Sequence, residues 1–406
     1  MTRQSDMLMT QRALEKVRVV DLTQHSAGPY CTKLLAGFGA EVLKIERRPD
    51  GDPMRGRGPF FEDREGPERS IPFLWLNTGK KSVALNLEDG RGVDVLKKLI
   101  AKADVLVENF APGEMAKLGL GFDTLSAINP RLVMTSISSF GQTGPYRDFA
   151  GEEITTYAMS GCMDLTGDPA REPLASGPAS TQYTAAMWGY IATLAALFQR
   201  EDGGGGRHID VSIQESALDN IEMALAERLH LGQTAKRKND KHPLVPWELF
   251  SCKDGQAAVI GGPMRHWLAA VDMFEEPRLR GTKFAHALGR IEHRAEFEEL
   301  IRPWLSRHGK EEIFHMGQSR GLAFGYMASL EETRACPQHE SRGFFVDVEH
   351  PEVGTHRHCG APFHFSDTPW RSARAPRLGE HTRCVLGETL GYSADDLGLL
   401  HDAGVI

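Results

Sequence analysis

Residues 17–46 read VRVVDLTQHSAGPYCTKLLAGFGAEVLKIE, and the order of apolar and turn residues in this stretch decides the fold class. The apolar run at 17–22 is short, rich in β-branched residues and followed by a turn, His25-Ser26-Ala27-Gly28-Pro29, so it predicts a buried strand. Pro29 suits the first turn of a helix, which the pattern carries to about Gly37 before Gly39 stops it. A second strand follows at 41–46. Strand, helix and strand at this spacing predict a parallel sheet covered by helices. Working outward, a further unit begins near Leu85, and strands are expected at 105–108 and 132–136, giving a Rossmann-like α/β domain.

The chain has 406 residues, enough for two or three domains at about 150 residues each. With 41% hydrophobic and 25% charged residues, 42 Gly and 22 Pro, it falls in the globular range and outside the collagen-like and disordered ones. Lys and Arg number 47 against 55 Asp and Glu, a formal charge of −8, so no nucleic-acid or membrane partner is expected. An anionic ligand therefore needs a local cationic site. Residues 1–16 lack the apolar core of a secretory signal. The apolar stretch 185–198 contains Gly189 and Thr193 and is too short to span a bilayer, which predicts a buried helix. Six scattered cysteines without a C-x-x-C pair fit a reducing cytoplasm.

Residues 230–242, HLGQTAKRKNDKH, are polar and basic and mark a boundary or exposed loop. Beyond them, 255–262 (GQAAVIGG) predicts a hairpin strand with a glycine loop, and 266–274 and 294–308 predict helices, together a smaller α+β domain. The expected division is 1–228 for the large domain, 229–335 for the small one, and 336–406 returning to the large one. A terminal helix is expected at 393–401, capped by Ser393.

The turn after the first strand lacks G-x-G-x-x-G and G-x-x-x-x-G-K-[ST], so the usual NAD and ATP fingerprints are missing. Arg47, Arg48, Arg55, Arg57, Lys80 and Lys81 lie near predicted strand ends, where a cationic set can clamp phosphate, although such residues are also the ordinary makings of a solvated surface. Gly203 to Gly206 reads as a surface turn. His356, His358 and Cys359 do not have zinc-motif spacing and read as a loop, so no metal is expected. No G-x-S-x-G or H-E-x-x-H supports hydrolase chemistry.

Several separated stretches resemble the family III CoA transferases, which include formyl-CoA transferase and alpha-methylacyl-CoA racemase. They are residues 17–46, LNTGKKSVALNL from Leu76, VENFAPGEMAKLGLG from Val107, SSFGQTGPY from Ser138, HIDVSIQESAL from His208 and the tail from Ala375. The resemblance implies two subunits threaded through each other like linked rings, each with a Rossmann-like large domain and a small α+β domain. It implies coenzyme A or acyl-CoA as substrate. The family's CoA-contacting positions fall on His25, Ser26, Arg47, Leu76, Lys80, Asn109, Phe110 and Lys117. Arg47, Lys80 and Lys117 suit phosphates, and Phe110 offers a face to adenine. Lys117 stands where an arginine is common, which keeps the charge and loses the planar fork.

In the family's transferases an aspartate carboxylate attacks the thioester. That position falls on Gln182 here, and residues 173–200 contain no Asp or Glu. An amide cannot take the role. Glu152 and Glu153 lie where racemase relatives place a histidine and an aspartate; they suit acid/base work if burial raises one, or capping of the helix that follows. The leading expectation is a subunit without its own nucleophile, paired with a homologous aspartate-bearing subunit. Members built of two such subunits, one of them acting on succinyl-CoA and benzylsuccinate in anaerobic toluene degradation, give the precedent. The alternatives are a homodimeric transferase or racemase using Glu152 or Glu153, and a catalytically silent acyl-CoA-binding protein.

Overall fold

Strands at Arg18–Asp21 (β1), Glu41–Glu46 (β2), Lys81–Ala84 (β3), Val105–Glu108 (β4), Val133–Ser138 (β5) and Arg207–Ser212 (β6) form one sheet in the computed structural model of the chain, which describes residues 12–237, 242, 244–261 and 264–406. All their pairings are parallel, in the order β3-β2-β1-β4-β5-β6. Such strands are covered on both faces, which is why their residues are apolar almost throughout: Val19, Val105, Leu106 and Val107 are inaccessible to solvent. One face packs against Leu96, Leu99 and Ile100 of the helix Gly90–Ile100 together with Val385 and Leu386 near the C-terminus. The other packs against helices Ala27–Gly37 and Ser180–Glu201.

The chain leaves β1 for β2 on one side and reaches β4 on the other, so the strand order reverses between β1 and β4. Parallel α/β sheets open a crevice at such a point, beyond the carboxyl ends of the strands. Here β1, β2 and β4 each end on an acid: Asp21, Glu46 and Glu108. The turn leading out of β1 is tight. A Cβ on Gly28 would lie 2.3 Å from the Thr23 Cβ, so the start of the helix tolerates glycine alone.

The chain divides into two compact units, one running to Met163 and including Ala175–Gln233 and Ser341–Ile406, the other Asp164–Leu174 with Thr234–Glu340. In the second, Trp247–Ser251 (β7), Gln256–Ile260 (β8) and Gly325–Tyr326 (β9) form an antiparallel sheet. Its core holds Trp267, Phe274, Phe297, Ile301 and Trp304. The first unit also carries an antiparallel hairpin, Phe345–His350 (β10) and Gly354–Cys359 (β11).

Several expectations change. Leu85 follows β3 instead of opening a unit. The stretch 185–198 belongs to a helix, Ser180–Glu201, that is buried on one face only: Met187, Trp188, Ile191 and Phe198 are exposed, because the sheet covers only one side. The His356-Arg357-His358-Cys359 run is a strand and not a loop. His358 is buried against Trp75, its ring nitrogens make no hydrogen bond among the described residues, and burial pushes it down to about 4, with His356 and Lys33 adding. Gly262 and residues 238–241 of the basic segment lie outside the described residues.

Candidate functional site

The β1 turn and the loop after β4 are clipped together across the crevice. The Gln24 N–H donates to Asn109 Oδ1 at 2.7 Å, and Asn109 Nδ2 donates back to the Gln24 carbonyl at 2.8 Å. His25 next to it is left-handed, at φ 63°, and its N–H donates to Asp52. Beneath this turn lies a block of buried charge. Lys44 Nζ meets Asp52 at 2.8 Å and donates to the Thr23 carbonyl, while Lys80 Nζ meets Asp21 at 3.0 Å and donates to the Pro29 carbonyl and Asn77 Oδ1. Burial opposes ionisation of Asp21, yet Lys80, Lys44 and hydrogen bonds from Thr23 and Thr32 bring it below the ordinary carboxyl range. At Asp52 burial again opposes ionisation, and Lys44 with the N–H groups of Met54 and His25 outweighs it.

These contacts sort the predicted cations. Lys80 is buried and its ammonium is engaged by Asp21, Asn77 and the Pro29 carbonyl, so it braces the turn from below. Arg55 is equally enclosed, donating to both Glu46 oxygens at 2.7 and 2.9 Å and to Glu68 at 2.9 Å, with its guanidinium 3.7 Å above the Phe73 ring. Lys81 pairs with Glu41 at 2.6 Å. Arg47 and Arg57 remain exposed.

Two cavities receive the other predicted residues. Asn109, Phe110 and Lys117 line one of about 520 Å³, with Ser138 and Arg147. Lys117 is exposed there and pairs with Glu114 at 2.5 Å. The Phe110 N–H donates to Glu108 at 2.8 Å, which fixes the loop. Glu108 is buried beside Ser136, whose hydroxyl lies 2.8 Å from His208 Nε2. Burial, with Asp210 adding, pushes the Glu108 carboxyl up to about 7 against the hydrogen bonds from Ser136 and Phe110.

The second cavity, about 620 Å³, brings together Ser26, Leu76, Glu152, Glu153 and Gln182. Gln182 sits in the first turn of the 22-residue helix Ser180–Glu201. The residue preceding that helix, Ala179, has no side chain to cap it, and Glu153 supplies the acceptor from a distance. Its carboxylate takes the Thr181 N–H at 2.9 Å, the Thr181 hydroxyl at 2.6 Å, the Ser180 hydroxyl at 3.1 Å and the Gln182 N–H at 3.3 Å. An anion at the positive end of a helix is stabilised there. Glu153 is thus a cap for a helix 28 residues on, not for the one it begins, while Glu152 next to it is exposed.

Sequence reasoning missed the cleft's aromatic walls. Trp75 stands on the short helix Ile71–Leu76, begun by Pro72 in its first turn and capped by Ser70. His358 stacks on it at 5.0 Å and Lys33 Nζ lies 4.9 Å from its ring. Tyr183 follows Gln182 and meets Tyr30 edge-on at 4.7 Å. The adjacency of Tyr183 to Gln182 was the available signal; nothing in the local pattern distinguishes Trp75 from a core aromatic. Among the described residues no group of His, Cys, Asp and Glu is arranged to hold a metal ion, and no helix is long and apolar enough to cross a membrane.

Residues 14–382 match the model of CoA-transferase family III. The chain is 33% identical to human (Homo sapiens) succinyl-CoA:glutarate CoA-transferase, covering 99% of this chain and 92% of that protein. It is also 33% identical to succinyl-CoA–D-citramalate CoA-transferase of Chloroflexus aurantiacus, over 97% of this chain and 98% of the other. A solved CAIB/BAIF family protein from Brucella suis superimposes with a TM-score of 0.84 at 31% identity, covering 93% of this chain and 100% of its own. Fold, crevice and sequence agree, and the chain belongs to CoA-transferase family III.

Proposed function

We propose that this chain is the subunit of a family III CoA-transferase that lacks its own nucleophile, and that a homologous aspartate-bearing subunit performs the covalent step. CoA thioesters are the family's substrates. In this reading the partner's aspartate attacks the thioester carbonyl and expels the CoA thiolate, leaving an acyl anhydride. The thiolate then attacks the aspartyl carbonyl, releasing the first acid and leaving an enzyme–CoA thioester; the acceptor carboxylate displaces the thiolate to form a new anhydride, and thiolate attack on its acyl carbonyl gives the new acyl-CoA and frees the aspartate.

The observation that carries the reading is Gln182. It occupies the cleft at the helix terminus, and the nearest acid, Glu153, is held by four donors as a helix cap. A carboxylate so engaged must give up those bonds before it attacks anything. The apolar faces favour a partner: besides Trp188, Ile191 and Phe198, the helix Glu222–Leu231 buries none of its residues and exposes Met223, Leu229 and Leu231. The names of the relatives support succinyl-CoA as donor and a dicarboxylic or hydroxy acid as acceptor, with benzylsuccinate of anaerobic toluene degradation as the acid we favour. We read His25, Ser26, Arg47, Leu76, Asn109, Phe110 and Lys117 as the CoA surface, with Lys80 supporting it from below. We take 1–228 with 336–406 as the large domain and 229–335 as the small one, and place the protein in the cytoplasm, where six free cysteines are at home.

The test is turnover of succinyl-CoA by the purified chain, alone and after co-purification with whatever homologue accompanies it in its source. Activity is expected only in the second case; an enzyme-like rate from the chain alone refutes the reading. A Gln182→Asp chain that gains activity shows the rest of the site to be intact. The exposed Glu152 keeps one rival alive, a homodimer acting through that carboxylate, and hydroxylamine cleavage mapped to its peptide identifies it. CoA-ester binding without turnover in any mixture identifies a silent binder.

A further inference from the structure

We propose that Glu108 is a positioning residue for the loop that meets CoA, and that the hydrogen-bonded chain of Glu108, Ser136 and His208 makes the grip of this loop depend on whether that carboxyl carries its proton. The inference rests on the reading of Asn109, Phe110 and Lys117 as CoA surface and adds to it what holds that surface in place.

The loop is tied at both of its first residues. Asn109 is clipped to Gln24, and the Phe110 N–H donates to Glu108 Oε2 at 2.8 Å. Glu108 closes β4 and is only 2% exposed. Its other partner is the Ser136 hydroxyl on β5, and that oxygen lies 2.8 Å from His208 Nε2 on β6. Three neighbouring strands thus lay three side chains end to end. Phe122 stacks on the His208 ring at 5.5 Å and fixes its plane. A cavity of about 380 Å³ is lined by all three, and it is distinct from the one of about 520 Å³ that holds Lys117.

A carboxylic acid suits this chain better than a carboxylate does. Protonated, Glu108 accepts from Phe110 through its carbonyl oxygen and donates to Ser136, whose hydroxyl then donates to a neutral imidazole, so every group has a partner. Ionised, it is a buried charge with which no base pairs among the described residues. The charged groups around it do not compensate. Asp210 on β6 and Asp123 in the same cavity are like charges, Asp21 on β1 is taken by Lys80 and Lys44, and Lys117 and Arg147 pair with Glu114 and Asp148. His208 is held below its ordinary value by burial, against Asp210 and Asp123, so it is neutral where Glu108, at about 7, changes charge.

A buried charge without a counter-charge is drawn toward water, and Phe110 is tied to this one. The same charge lies beneath a surface that receives phosphates. Both effects loosen CoA as pH rises through about 7. By reciprocity, CoA binding draws a proton onto Glu108.

Calorimetric titration of the purified chain, or of its native complex, with CoA between about pH 6 and 8.5 tests this. Glu108→Gln keeps both hydrogen bonds of the neutral acid, since its amide accepts from Phe110 and donates to Ser136. It is expected to match wild type at the acid end and to bind CoA at least about threefold more tightly than wild type at the alkaline end. The 3′-phosphate of CoA titrates near pH 6 in both titrations, so the difference between the two proteins reports Glu108. Ser136→Ala removes a hydrogen bond that favours the ionised form and is expected to move the midpoint of the wild-type fall to higher pH. A purely structural role predicts weaker binding by Glu108→Gln at every pH. That result, parallel profiles in the two proteins, or an unmoved midpoint in Ser136→Ala overturns the proposal and leaves the CoA surface standing, whereas no CoA binding at any pH overturns both.

Discussion

Asp21 and Glu46 end β1 and β2, and Glu108 ends β4, three buried acids at the same edge of one sheet. The first two meet bases: Lys80 and Lys44 surround Asp21, and Arg55 clasps Glu46. Glu108 meets a hydroxyl, an amide N–H and, at longer range, the like charge of Asp210. Identical placement thus gives opposite electrostatics, with Asp21 below the ordinary carboxyl range and Glu108 up at about 7. Position on the sheet buries a carboxyl; the side chains arriving from elsewhere decide whether it is charged.

The contrast is broken most violently by Arg55→Met. It strands Glu46 in the interior, and we expect a loss of about 3–5 kcal/mol in urea unfolding, the usual consequence of removing one partner of a buried pair. A loss below about 1 kcal/mol would show that the pair does not hold this half of the sheet.

Glu108→Gln sharpens the contrast through pH. The folded chain keeps the Glu108 proton up to about pH 7, whereas the unfolded chain releases it near 4.5. Its contribution to stability is therefore complete below the ordinary carboxyl range and disappears as pH rises through about 7, a change of about 3 kcal/mol. Unfolding of Glu108→Gln should lack that slope between pH 4.5 and 8. Asp21 and Asp52 tilt the other way, since their depressed values contribute above the ordinary carboxyl range and are lost on acidification. Wild-type protein with the same pH slope as Glu108→Gln contradicts the assignment.

The smallest effect is reserved for Lys117→Ala. Its pair with Glu114 is short but lies in water, and exposed pairs contribute little, so the unfolding midpoint should not move. If Lys117 touches CoA as proposed, the change appears in CoA-ester affinity alone and shrinks at high salt.

The strands and their order of appearance were legible in residues 17–46 because a short apolar run, a turn and a helix stop are local signals. That residues 173–200 hold no Asp or Glu is read directly from the sequence and survives any small shift of register. Lys80 and Arg55 were not legible. A lysine beside a strand end looks the same whether it faces water or Asp21, and the partner sits 59 residues away along the chain. Glu153 misled for the same reason: read locally it begins its own helix, and only the folded chain shows it closing another. The exposed face of 180–201 escaped because an apolar run predicts burial without saying by what.

The helix Glu222–Leu231 has a consequence for the life of the chain in a cell. Ten residues that cover nothing cannot hold a helix by propensity alone, and Met223, Leu229 and Leu231 are the kind of surface that quality-control machinery recognises. If a partner covers this face as proposed, chain made in excess of that partner would become a substrate for chaperones and proteases. Its abundance would then follow the supply of that companion more closely than the rate of its own synthesis.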